Sequence, residues 1–177
     1  MTFCQSTTRP FRIKGAYLRR IYGLKRLRRL LGHLRQDRGS LHRTLKGQDL
    51  MGKWTISRTA RLAIMLRDGL CCAWCAAAVE DGAVLTLDHL CCRSAGGGDN
   101  AENLVTACLR CNGNRGSRAV DEFASAVAAY LDIDARLIRE HIEFTRRQPV
   151  DTEAASRLLI SRGSLAAALY GDIQVNG

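Results

Sequence analysis

Two short cysteine knuckles constrain this chain more than any other feature. Cys72-Ala73-Trp74-Cys75 and Cys108-Leu109-Arg110-Cys111 each set two thiols three positions apart. Paired elements of this kind suit one tetrahedral Zn²⁺ at about 2.3 Å per sulfur, and four protein sulfurs leave no open coordination position, so the ion is structural. Zinc ribbons separate their knuckles by about 15–20 residues; here 32 residues lie between Cys75 and Cys108. A sizeable segment is inserted there, and the metal would tie its two ends together. Cys71 opens a rival register with Cys75, ranked below Cys72. Cys4, Cys71, Cys91 and Cys92 receive no role.

Eight cysteines could instead make four disulfides. That needs an oxidising compartment, and the polar opening Met1 to Pro10 does not read as an export signal. The expectation is a soluble, cytoplasmic protein. Organelle import is the alternative, because the first forty residues are Arg-rich and acid-poor. No stretch approaches the roughly 18 consecutive apolar residues of a membrane span.

Charge is unevenly placed. Residues 1–60 carry 15 Lys+Arg against 2 acids, residues 61–118 carry 6 of each, and residues 119–177 carry 6 against 9. A strongly basic segment joined to a neutral module attracts polyanions, nucleic acid foremost. Within it, Leu18, Ile21, Leu24, Leu27, Leu31 and Leu34 recur at helical spacing, while Arg19, Arg20, Arg28 and Arg29 fill the remaining surface. Such a helix could lie on DNA, on an anionic membrane or on a partner; on DNA it would supply sequence-independent phosphate contacts.

The chain divides into three parts: a basic tail and amphipathic helix over 1–56, a central module over 57–118, and a helical extension over 119–177. Ser57 reads as the N-cap of a helix that Gly69 stops. Two short β-type segments follow between Val79 and Leu90, broken at Glu80-Asp81-Gly82. After a Gly-rich loop over Gly96 to Asn100, a short helix begins near Cys108. Two or three amphipathic helices complete the chain, with breaks at 131–134 and 148–151, the second marked by Pro149.

Asp88 and His89 stand side by side at the end of a strand, so their side chains take opposite faces. One can hold a hard cation while the other moves a proton. The remaining histidines, His33, His42 and His141, read as surface or packing residues.

In order and spacing, several pieces of the central module resemble the HNH endonuclease family in its four-cysteine form. They are Arg67-Asp68-Gly69, Cys72-x2-Cys75, Leu87-Asp88-His89, Arg93-Ser94-x-Gly96-Gly97, Glu102-Asn103-Leu104-Val105, Cys108-x2-Cys111-Asn112 and Arg115-Gly116. The resemblance spans Ser57 to Ser117. It implies an α+β, mostly helical chain with a small ββα-metal core and a structural Cys4 zinc, flanked by N- and C-terminal helices. It also implies that His89 is the general base, that Asp88 and Asn112 ligate a catalytic Mg²⁺- or Mn²⁺-like ion, and that Asn103 braces the loop carrying His89. Arg93 or Arg115 would contact phosphate. Three departures stand out: Asn112 occupies a position where many members have His, the usual proline is replaced around Cys91-Cys92, and Ala76 stands where Gly is common and positive φ is often needed.

The function expected is hydrolysis of DNA phosphodiester bonds, most simply in duplex DNA. The alternatives are an inactive zinc-containing nucleic-acid-binding protein, or an accessory subunit of a phage or mobile-element machine. A homo-oligomer or a phage protein partner is compatible with either.

Overall fold

The computed structural model describes residues 56–171, together with the single residue Ile21. The basic helix with Arg19, Arg20, Arg28 and Arg29, the linker, and Cys4 lie outside the described residues. Ile21 itself is helical and 2% exposed within the core.

Helix α1 (Arg58–Arg67) starts where Ser57 Oγ accepts a hydrogen bond from the Ala60 amide at 3.1 Å. Such a cap satisfies one of the amides that a first helical turn leaves unbonded. Its apolar run Leu62, Ala63, Ile64 and Met65 is buried. The helix closes through Gly69 and Leu70, both at positive φ. Leu70 is held in that unfavourable geometry by its amide, which donates to the Met65 carbonyl.

The chain then forms the first knuckle. The Cys72 amide donates to Ala77 O, and the Ala76 amide to Cys72 O, both at 2.8 Å. Ala76 closes this turn at φ 58°, the left-handed geometry its position calls for.

The segment around Val79 differs from the sequence expectation. It is not a strand but a 3-10 turn over Val79–Asp81, followed by Gly82 at φ 75°. The Asp81 carboxylate accepts from the Ala78 amide at 3.0 Å, and this side-chain bond closes the turn where a strand would need an extended partner. Strand β1 (Leu85–His89) therefore stands alone before the Gly-rich loop.

Its partner is β2 (Leu104–Cys108), antiparallel, with Leu85 opposite Cys108 and His89 opposite Leu104. All five β2 residues are buried. A strand covered on both faces lacks the apolar–polar alternation that identifies a half-exposed one, so periodicity did not single it out. Helix α2 (Leu109–Arg115) follows directly, and Cys108 Sγ accepts from the Cys111 amide at its start.

Four helices complete the fold: α3 (Val120–Leu131), α4 (Ala135–Arg146), α5 (Thr152–Arg162) and α6 (Leu165–Tyr170). The breaks at 131–134 and 148–151 fall as expected. Gly163, at φ 78°, supplies a third and separates α6. Helix α1 packs on α5 and β2, α3 on α4, and α4 on β2. Among the described residues the fold is mostly helical, with one two-stranded antiparallel sheet.

A single apolar cluster joins these layers. Trp74, inside the first knuckle, is fully buried and meets Phe123 of α3 edge-on, 4.9 Å between ring centroids. Leu62, Leu104, Leu131 and Ile138 are equally inaccessible. Burying each such side chain contributes about 1.5–3 kcal/mol. No described helix is long and apolar enough to cross a membrane.

Candidate metal centre and active site

The knuckles meet across the β1–β2 hairpin. The Ala73 amide donates to Thr106 O at 2.8 Å, which fastens the first knuckle to β2, while the second knuckle spans the junction of β2 and α2. The sulfurs of Cys72, Cys75, Cys108 and Cys111 all lie within 4.8 Å of one another. Cys75 Sγ and Cys108 Sγ are 3.8 Å apart. A tetrahedron with metal–sulfur bonds of about 2.3 Å has edges of about 3.8 Å, so the cluster has the dimensions of a metal site. Burial pushes the Cys72 thiol well above its ordinary range. Hydrogen bonds from Cys111, Cys72 and Cys75 draw the Cys108 thiol far down. Four sulfurs this close together suit a cation between them. Cys71 lies outside the cluster, its Sγ donating to Asp68 O.

At the far end of β1 the alternation expected of a strand is realised. Asp88 turns inward and is 3% exposed, while the side chain of His89 faces out at 17%. Asp88 Oδ2 accepts from the Trp74 indole at 2.9 Å, and Oδ1 from Arg115 Nη1 at 2.6 Å. Burial pushes the Asp88 carboxyl above its usual range, against the pull of the Arg115 charge and the Trp74 and Arg115 hydrogen bonds. Arg115 also donates to the carbonyls of His89 and Leu90, so one guanidinium grips the end of β1 at three points.

His89 Nε2 lies 2.6 Å from Asp99 Oδ1. That separation needs a proton between the two atoms; with it on the ring, Nε2 donates to Asp99 and the 3.3 Å approach of Arg93 Nε, itself a donor, is a contact and not a second hydrogen bond, while Nδ1 makes no hydrogen bond among the described residues. Arg93 Nη2 reaches both Asp99 oxygens, at 2.8 and 2.9 Å. Partial burial works against ionisation of Asp99, but the hydrogen bonds from His89 and Arg93 outweigh it and hold its carboxyl below the usual range.

Asn103 ties down the loop between β1 and β2. Its Oδ1 accepts from the Cys91 amide at 2.8 Å, and its Nδ2 donates to Cys91 O at 3.0 Å and Gly98 O at 2.8 Å. The approach at Gly97 is so close that a Cβ there would sit 1.9 Å from Cys91 O. Behind the loop, Arg67 donates to Ala101 O and Leu104 O, and Asp68 accepts from the Thr106 amide at 2.6 Å.

Residues 72–118 match the family model described as HNH endonuclease. The chain carries an HNH endonuclease domain. No match was found among curated proteins or among solved structures.

Within the HNH domain, several site candidates gather around the end of β1. His89 and Arg93 meet through Asp99, Asn103 holds the intervening loop, and Asn112 Nδ2 donates to Leu87 O at 3.2 Å. Arg115, expected to contact phosphate, is instead 2% exposed, its guanidinium engaged with Asp88, two carbonyls and the Trp74 ring face 5.5 Å away. Arg93, half exposed, keeps that role open. Sequence reading assigned nothing to Asp99 or Trp74. The only available signal for Asp99 was its place at the end of a glycine run whose flexibility lets a carboxylate fold back on the strand.

Proposed function

We propose that this protein is a metal-dependent HNH endonuclease that hydrolyses DNA phosphodiester bonds, with His89 as the general base. What carries the reading is the placement of His89 within the HNH domain: Nε2 against Asp99, Nδ1 without a hydrogen bond among the described residues, and the side chain partly exposed. Water attacks phosphorus while its proton passes to Nδ1. A P–O bond forms, the scissile P–O bond breaks, and the leaving oxygen is protonated from solvent.

Asp88 and Asn112 are the protein donors for a divalent ion. Asp88 keeps lone pairs beyond those taken by Trp74 and Arg115, and Asn112, with Nδ2 on Leu87, has Oδ1 left to offer. Mg²⁺ commonly uses only one or two protein carboxylates, with water and phosphate completing its shell. When bound, such a cation neutralises charge on the scissile phosphate and the leaving oxygen. The four-sulfur cluster holds structural Zn²⁺, pinning both ends of the hairpin that carries His89. Arg93 and the basic N-terminal segment supply phosphate contacts.

Supercoiled plasmid incubated with the protein and Mg²⁺, Mn²⁺ or EDTA tests this reading. Cleavage should require a divalent ion and disappear in His89→Ala, while DNA affinity stays near wild type. His89→Ala cutting at the wild-type rate removes the general base. The engagement of both Asp88 oxygens favours one rival, a DNA-binding protein without turnover; metal-independent binding with no cleavage in any condition selects it.

A further inference from the structure

The carboxylate facing His89 comes from neither the strand nor the helix of the hairpin, but from the tip of the Gly-rich loop. Asp99 and His89 have equally exposed side chains, 17% each, and their contact at 2.6 Å is the short kind that a charged acceptor makes. The loop delivering Asp99 is fixed on both sides. Asn103 Nδ2 holds Gly98 O, the residue immediately before Asp99, and Gly97 lies against the Cys91 backbone too closely for any side chain. Arg93 grips both oxygens of the same carboxylate and so restricts its rotation.

We infer that Asp99 is a positioning residue for His89: it keeps the ring proton on Nε2, turns Nδ1 toward the attacking water, and balances the positive charge the ring gains on taking the water's proton. This inference rests on the reading of His89 as general base. An imidazole without such a partner divides its proton between two nitrogens and rotates about χ2, and each lapse takes the basic nitrogen out of line. A carboxylate at Nε2 removes both freedoms. Asn103 acts one step further back, because its bond to Gly98 sets where Asp99 stands. The path Asn103, Gly98, Asp99, His89 is a chain of short contacts along one loop.

Asp99→Asn changes shape least and is the decisive variant. Its amide can offer N–H to Nε2, which reverses the tautomer. With supercoiled plasmid and Mg²⁺ or Mn²⁺, kcat should fall by about 100-fold or more, with KM within about threefold of wild type. Asp99→Glu, which keeps the charge, should recover part of the loss. Long-range ¹H–¹⁵N spectra of the full chain provide a readout independent of turnover. In the wild type, the His89 ring proton sits on Nε2; in Asp99→Asn the Nδ1-protonated form should grow, with the other three histidines unchanged. A kcat within about twofold of wild type in Asp99→Asn overturns the inference, as does a His89 tautomer indifferent to the substitution. If the wild-type protein cuts nothing, the nuclease reading fails, and the spectra still decide whether Asp99 orients the ring.

Discussion

The Asp88 carboxylate and the Arg115 guanidinium meet at 2.6 Å with side chains 4% and 1% exposed, one at the end of β1 and the other in the last turn of α2. The pair has little access to water, so each charge depends on the other. Removing one partner of a buried pair strands the second, at a cost of about 3–5 kcal/mol. Arg115→Met, which keeps the length and deletes the charge, should lower unfolding free energy by about that amount in urea titration. A loss under about 1 kcal/mol would mean that water reaches Asp88 in solution.

Metal removal should act on the fold before it acts on chemistry. The four sulfurs join the first knuckle to the β2–α2 junction, so an ion there closes the hairpin at its base. Metal binding to a site that exists only when folded is folding free energy. One zinc per chain is expected by elemental analysis. A strong thiol-competing chelator should cut the melting temperature sharply, and Cys108→Ser should do the same without chelator. Retention of the full melting temperature after complete metal loss contradicts a structural role for the cluster.

Much of this was legible in the sequence because single residues decided it. Ser57 capped α1, Gly69 ended it, Pro149 marked a break, and the knuckle spacing announced the sulfur cluster. Ala76 took the positive φ its position required. Where the outcome hung on tertiary partners, the sequence was mute. Leu104 to Cys108 is buried on both faces and lost the alternation that names a strand. Arg115 looked like a phosphate ligand because its destination inside, against Asp88 and Trp74, is a matter of packing. Asp99 had no motif to flag it, since only the folded loop brings it back onto His89.

Acidification should release the Asp99 clamp in a defined window. An Asp held below its usual range favours folding when ionised, so its contribution is full above the unfolded value of about 3.9 and fades as pH drops through the lower folded value. The stability difference between wild type and Asp99→Ala should therefore shrink as pH falls from about 5 through 4 and below. Urea unfolding of both proteins across that range measures it. A difference that grows below about pH 5 would reverse the sign of the Asp99 shift.

The C-terminal helices are part of the core that supports the knuckle. Phe123 of α3 is 4% exposed and lies edge-on to Trp74, whose indole in turn holds Asp88. Phe123→Ala removes a ring from this interior and should destabilise by about 3–5 kcal/mol. Its effect should reach the site as well, because Trp74 loses the surface that fixes its ring. A chain ending at residue 118 leaves Trp74, Leu62 and Leu104 without α3, α4 and α5, and should show little cooperative melting even with zinc supplied. If that truncated chain instead melts cooperatively near the full-length temperature, residues 57–118 fold alone and the helices serve another purpose.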